Sequence, residues 1–221
     1  MKKVLVTGGS RGIGKAIVQK FEEHGYEVVA PTRQELNLLD EKSIMDYVEK
    51  HKEDGFDVIV NNAGINDIHE IEDITDDEIE RMITTNLVAP IKLLRGFVRE
   101  MKKKKYGRII NIASIWAVVS KSGRCVYSAT KNGIHGVTNT LAVELAGDNI
   151  LVNTVCPGFT MTELTVKNNT PEQITKISSE IPMKRMAQPE EIAEVVYFLG
   201  SEKNTYLTGQ KIAVDGGYTE Q

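Results

Sequence analysis

Short apolar runs alternate with amphipathic stretches along the chain, and this alternation predicts a layered α/β fold. Val4-Leu5-Val6 is a continuous apolar run that ends in a glycine-rich turn. Lys15 to Glu23 then places Ala16, Ile17 and Phe21 at helical spacing. Further strand-like runs stand at Glu27 to Ala30, Asp57 to Val60, Arg108 to Ile112, Ile150 to Val155 and Lys211 to Val214. Helical patterns over Asp76 to Lys105 and Tyr127 to Ala146 separate the later ones. Strands that are apolar on both faces and divided by helices predict a parallel sheet covered on both sides. The expected architecture is a Rossmann-like, doubly wound sheet in a single domain, residues 1–221.

One interval is too short for the full pattern. Four residues separate the second strand, ending near Thr32, from Asn37-Leu38-Leu39-Asp40. A parallel crossover needs about a dozen. Asp40 reads as the N-cap of a helix over Glu41 to Lys52. The sheet is therefore expected to have six strands, with one edge strand and its helix missing after the second strand.

Composition narrows the function. The net charge is -4, which argues against general nucleic-acid binding. The basic run Lys102 to Lys105 suits a solvated helix C-terminus. No apolar run approaches the ~20 residues of a membrane span. The opening Met-Lys-Lys resembles a signal n-region, but the apolar stretch after it stops at three residues, whereas a secretory h-region needs ~7–15. Two cysteines, Cys125 and Cys156, make no disulfide framework. These features point to a cytoplasmic protein with no membrane partner. The four histidines form no ligand spacing with the cysteines, so no metal site is expected.

The turn Thr7-Gly8-Gly9-Ser10-Arg11-Gly12-Ile13-Gly14 sits between the first strand and the first helix. Strand, glycine turn and helix together form a phosphate cradle. Gly8 permits the tight turn, Gly12 lets backbone N–H groups approach a pyrophosphate, and Gly14 lets helix and strand pack closely. Gly8, Ser10, Arg11, Gly12, Ile13 and Gly14 are the expected dinucleotide contacts. The end of the second strand, Ala30-Pro31-Thr32-Arg33, carries no acid to receive ribose hydroxyls. Arg33 and Arg11 can pair a 2′-phosphate beside Thr32. The expected cofactor is NADP, with NAD possible and Glu35 the nearest acid that would favour it.

Ser114, Tyr127 and Lys131 stand thirteen and four residues apart. Positions i and i+4 share a helix face, so Tyr127 and Lys131 point the same way. A phenol has a reference pKa of ~10. Trading protons near pH 7 requires about 4 kcal/mol of help, which a nearby ammonium is expected to supply. Ser114, at the end of the Arg108–Ile112 strand, can bond the reacting oxygen as charge develops.

These residues resemble the short-chain dehydrogenase/reductase family nearly end to end, from Thr7-Gly8 to Asp215-Gly216-Gly217. The resemblance adds Asn86, in Thr85-Asn86-Leu87, as the asparagine that completes a catalytic tetrad and holds a relay water. It adds Asn61-Asn62-Ala63-Gly64, with Asn61, Ala63 and Gly64 beside the adenine ribose. Pro157, Gly158, Thr160 and Thr162 resemble the segment against the nicotinamide carboxamide. Tyr127 and Lys131 are implied to contact the cofactor as well. Asn37 stands where the family usually has an aspartate, and Asn37 with Leu38 are the implied adenine contacts. Residues 163–185 resemble a substrate lid. The implied assembly is a homo-oligomer, a dimer or a homotetramer, through helices near 86–105 and 127–146. Leu87, Ile91, Leu94 and Val98 would form an apolar stripe there.

The expected activity is NADP(H)-dependent interconversion of a carbonyl and a secondary alcohol on a small molecule of the 3-oxoacyl or sugar/polyol type. Alternatives are an NAD(H)-dependent sugar dehydrogenase, epimerase or dehydratase chemistry, and a dinucleotide sensor without turnover. Asn66, Asp67, Ile115 and Trp116 are expected to border the substrate, with core packing an equal role for Trp116.

Overall fold

Alternation inside the apolar runs sorts their side chains onto two faces of one sheet. Leu5, Ile59, Ile109 and Val152 enter one core cluster, and Val4, Val6, Val58, Val60 and Ile110 enter the other. The computed structural model describes residues 1–221. Its strands are β1 (Lys3–Val6), β2 (Glu27–Val29), β3 (Val58–Asn61), β4 (Gly107–Ile112), β5 (Ile150–Pro157) and β6 (Lys211–Val214). They form a six-stranded sheet in the order β2-β1-β3-β4-β5-β6, parallel throughout. This is the expected doubly wound sheet.

Helices cover both faces. The first cluster is closed by α2 (Glu41–His51), α4 (Ala89–Lys104) and α5 (Cys125–Leu145), through side chains such as Ile44, Leu93, Phe97 and Leu145. The second is closed by α1 (Gly12–Glu23) and α8 (Pro189–Gly200), through Ile17, Phe21, Ile192 and Val196. None of the helices is long and apolar enough to cross a membrane.

The trimmed edge is real, and β2 pairs only with β1. Residues 30–40 make a stitched turn in place of a strand and helix. Backbone bonds from Glu35 and Leu36 return to Thr32 O, and Asn37 N donates to Ser43 Oγ. Leu36 is buried in the first cluster. Asp40 then caps α2, its carboxylate accepting from Lys42 N and Ser43 N.

The sequence pattern predicts one helix from Asp76 to Lys105, but the structure breaks it. Helix α3 (Asp76–Ile83) is followed by a π turn, Thr84–Val88, before α4 begins. Pro90, in the first turn of α4, has no N–H to return to the Asn86 carbonyl. An extra residue per turn resolves the mismatch, and such π turns collect at functional sites.

Beyond β5, α6 (Glu163–Asn168) and α7 (Pro171–Glu180) contain no buried residue. Ile181 and Met186, which follow them, are buried and anchor the segment.

Because Asp40 both satisfies two orphan N–H groups and places a negative charge at the N-terminus of α2, Asp40→Ala should cost about 1 kcal/mol. Urea unfolding should show a lower midpoint at unchanged slope; an unaltered midpoint contradicts this role for the cap.

Candidate active site

Strand order reverses between β1 and β3, which opens a crevice beyond their carboxyl ends. The two loops that leave there are fastened together. Thr7 Oγ1 accepts from Asn62 N and Ala63 N, each at 3.1 Å. The Asn62 amide donates to Thr7 O at 2.9 Å and Gly8 O at 3.1 Å.

The glycine turn has the expected geometry. Gly8 and Gly12 adopt positive φ, 67° and 53°. A Cβ on Gly14 would stand 2.1 Å from Gly8 O, so a side chain there would collide with the turn. The N-terminus of α1 has no side-chain cap and no acid in its first turn, which leaves its N–H groups for an anion. Thr162 Cγ2 would lie 3.3 Å from a Cβ on Gly12, so the segment after β5 closes over the turn. Thr160 Oγ1 donates to Gly158 O inside that segment. This cradle fits a dinucleotide pyrophosphate.

The edge of the cradle departs from expectation. Arg11 and Arg33 are exposed, and neither joins an ion pair in the molecule. Thr32, however, donates through both N and Oγ1 to Glu35, at 2.8 and 2.9 Å. Those bonds hold the Glu35 carboxyl below its usual range. The Thr32 hydroxyl is therefore engaged, and a carboxylate does stand at the end of β2, supplied by the turn rather than the strand. Asn37 Oδ1 accepts from Leu39 N at 3.2 Å, which takes up one lone pair of the expected adenine contact. The Asn61 side chain does not face the crevice: it is buried and donates to Asn111 Oδ1 at 2.8 Å. Asn62, which the motif contained but the reading did not single out, is the residue that braces the turn.

Ser114, Tyr127, Lys131 and Asn86 come together beyond β3 and β4. Ser114 is buried, accepts from Trp116 N at 3.3 Å, and faces the Tyr127 hydroxyl. Lys131 is buried and donates to Ile112 O at 2.8 Å. Asn86 is buried in the π turn, its Oδ1 accepting from Ile65 N and its Nδ2 donating to Ile65 O and Thr130 Oγ1. A Cβ on Gly64 would lie 3.2 Å from Lys131 Nζ and 3.3 Å from Asn86 Oδ1, so these three share one wall. The Asn86 amide thus spends both of its hydrogens and one oxygen lone pair on protein, and Pro90 gives its backbone carbonyl no donor.

Electrostatics corrects one expectation. Lys131 Nζ stands 5.6 Å from the centre of the Tyr127 ring and points to a carbonyl. Burial outweighs every other influence on the phenol and raises its pKa, while Ser114 and Arg124 pull it down. Burial also lowers the Lys131 pKa to about 8. Lys131 is a cation held in a dry place, and the lowering of the phenol that its i+4 spacing suggested is not seen.

Other expected neighbours divide. Trp116 packs edge-on to Phe159 and Tyr218 at 6.1 and 6.2 Å, so packing is its evident role. Asp67 pairs with Arg81 at 2.8 Å. Of the outward stripe, Leu94 is buried in its own core and Leu87 lies against Gly133 of α5, whereas Ile91 is exposed.

Comparison with known proteins agrees with this geometry. The family model for enoyl-(acyl carrier protein) reductase matches residues 34–219, and that for short chain dehydrogenase matches residues 2–43. The two meet at the shortened segment after β2. The 3-oxoacyl-acyl-carrier-protein reductase FabG of Buchnera aphidicola subsp. Schizaphis graminum is 37% identical over 236 residues, covering 98% of this chain and 96% of its own. FabG of Aquifex aeolicus is 37% identical, with 98% and 96% covered. Among solved structures, an NADP-bound candidate gluconate 5-dehydrogenase from Beutenbergia cavernae superposes with a TM-score of 0.93 at 30% identity, covering 100% of this chain and 97% of its own. ElxO with bound NADP gives 0.92 at 30% identity, with 100% and 99% covered.

Burial of Lys131 has a signature in stability. Both folded and unfolded chains hold its proton below pH 8, and the burial penalty is then full. Between about pH 8 and 10.5 the folded state has lost the proton and the unfolded chain has not, so stability rises with pH. Relative to Lys131→Met, the wild type should gain about 3 kcal/mol across that window. Urea melts that show a constant difference between the two proteins would remove the assignment.

Proposed function

This chain belongs to the short-chain dehydrogenase/reductase family, and from that premise we propose that it interconverts a carbonyl and a secondary alcohol with NADP(H) through a Ser114–Tyr127–Lys131–Asn86 site. The observation that carries this reading is the meeting of those four side chains at the same end of the sheet as the Gly8–Gly14 cradle. Bound NADP(H) supplies the hydride in reduction and receives it in oxidation.

The protein's own groups do the rest. Tyr127 gives its phenolic proton to the oxygen as the carbonyl becomes an alcohol, and takes it back in reverse. Burial favours the protonated phenol, so near neutral pH the site is set for reduction. Ser114 Oγ, beside that phenol, bonds the same oxygen and steadies developing charge. Lys131 supports the ribose and contributes positive potential in a dry setting, where charge acts more strongly. Asn86 holds the Ile65 backbone, next to the Gly64 that borders Lys131, and offers its own carbonyl to a relay water. Arg11 and Arg33 receive the 2′-phosphate, an assignment supported by their exposure and lack of any partner. Residues 163–185 act as the lid of a single domain, supported by the absence of buried side chains on α6 and α7. The 3-oxoacyl and sugar types remain the substrate classes, matching the relatives and structural neighbours respectively. Unpaired Cys125 and Cys156 suit a reducing, cytoplasmic setting. Exposed Ile91 on α4 and Val143 on α5 suit assembly into a dimer or tetramer through those helices.

Tyr127→Phe should lower kcat on a carbonyl panel by about 10²–10⁴-fold, while fluorescence titration shows NADPH affinity changed by less than about tenfold. Loss of binding together with turnover would make Tyr127 structural. Arg33→Ala should reduce the NADPH/NADH preference by about tenfold or more, and Glu35→Gln should raise it by removing a carboxylate that repels phosphate. A wild type that prefers NADH reverses the cofactor assignment. With rising alkaline pH, reduction should decline and oxidation should climb as Tyr127 loses its proton; the opposite trend contradicts the proton role.

A further inference from the structure

Arg124 is a half-buried cation that the proton relay leaves unused. It immediately precedes α5 and stands three positions before Tyr127. Its Nε and Nη1 are sealed from solvent and have no hydrogen-bond partner. No carboxylate pairs with it, and the one ionisable group that faces it is the Tyr127 phenol. Its guanidinium carbon lies 5.9 Å from the centre of the Trp116 ring, and Lys121 Nζ lies 5.8 Å from the same centre. Two cations therefore flank the Trp116 ring, two residues from Ser114.

The contrast with Arg108 is instructive. That guanidinium is more deeply buried and its Nε too lacks a partner, but its Nη1 and Nη2 donate to the carbonyls of Gly107, Asn149 and Asn204, which explain it structurally. Arg124 has no such partners. An unpaired polar group withdrawn from water is costly, and in a native fold it calls for a missing partner. The guanidinium fork matches a carboxylate bidentately. Because the phenol beside it handles the reacting oxygen, the anion belongs to the molecule being oxidised or reduced.

Resting on the activity of the previous section, we propose that Arg124 binds a carboxylate of the substrate, so that the enzyme acts on a free oxo or hydroxy acid rather than on a thioester or a neutral polyol. Both substrate classes contain such acids: a 3-hydroxy acid in one, a sugar acid in the other. In oxidation the carbinol carbon would give its hydride to bound NADP⁺, and the hydroxyl proton would pass to Tyr127 in its phenolate form. The carboxylate is unchanged throughout and serves as a handle. A thioester or a neutral polyol presents no charge to Arg124 and leaves the guanidinium unpaired.

The test compares charged and neutral forms of one skeleton with NADP⁺: 3-hydroxybutyrate against its methyl ester, and an aldonate against the polyol of equal length. The wild type should favour the acid in at least one pair by tenfold or more in kcat/KM, mostly through KM. Arg124→Gln should erase that ratio, and Arg124→Lys should restore part of it. The ratio is the right quantity because the influence of Arg124 on the Tyr127 proton acts on both members of a pair alike. Titration calorimetry of the NADP⁺-loaded enzyme with butyrate gives a second readout, with binding expected for the wild type and lost in Arg124→Gln. Turnover without preference for the acid, or a preference that survives Arg124→Gln, overturns the carboxylate site and leaves the oxidoreductase reading intact. Butyrate binding that depends on Arg124, with no turnover of either pair, supports the site and counts against that reading. Neither binding nor turnover overturns both.

Discussion

The site depends on a clasp between two loops at the point where strand order reverses. Asn62 reaches from the end of β3 to Thr7 O and Gly8 O, and Thr7 Oγ1 answers by accepting Asn62 N and Ala63 N. These bonds fix the glycine turn, and with it the N-terminus of α1, against the loop that carries Gly64. At Gly64, Lys131 Nζ and Asn86 Oδ1 stand 3.2 and 3.3 Å from the place of the missing Cβ, so a side chain there would press on both. The glycine turn and the Lys131–Asn86 pair are thus joined through one short peptide.

Around that clasp the fold tolerates local costs. Lys131 sits in a dry place that lowers its pKa to about 8, with one carbonyl as its partner. Arg124 is half-buried and keeps Nε and Nη1 out of water with no partner. The helix before α4 accepts a π turn, within which Asn86 bonds Ile65 and Thr130. Each departs from what packing alone would favour, and all lie around Tyr127. Buried charge and unpartnered donors gathered near a cleft are the pattern of a candidate functional site.

Much of this was legible in the chain. Continuous apolar strands and helical spacings predict the six-stranded parallel sheet, and a count of residues after β2 predicts its trimmed edge. The four residues of the tetrad were named from spacing and family resemblance, and they do meet. What escaped was whatever depends on how a side chain is turned. Asn61 and Asn62 are adjacent and chemically identical, yet one is buried against Asn111 and the other braces the cradle. Glu35 lies outside any strand, yet the Thr32 turn carries its carboxylate to the end of β2. A helical pattern continuous from 76 to 105 contained no hint of a π turn except Pro90.

The sequence by itself determined the order of strands and helices, the glycine turn and the shared helix face of Tyr127 and Lys131, because periodicity and covalent spacing act locally along the chain. Only the tertiary structure decided their electrostatics. Spacing set Lys131 one turn from Tyr127, but burial, which no local pattern reports, raised the phenol and lowered the amine. Desolvation arises from every element packed around a group at once, so it becomes visible only when the sheet, α5 and the loop after β3 have closed on one another.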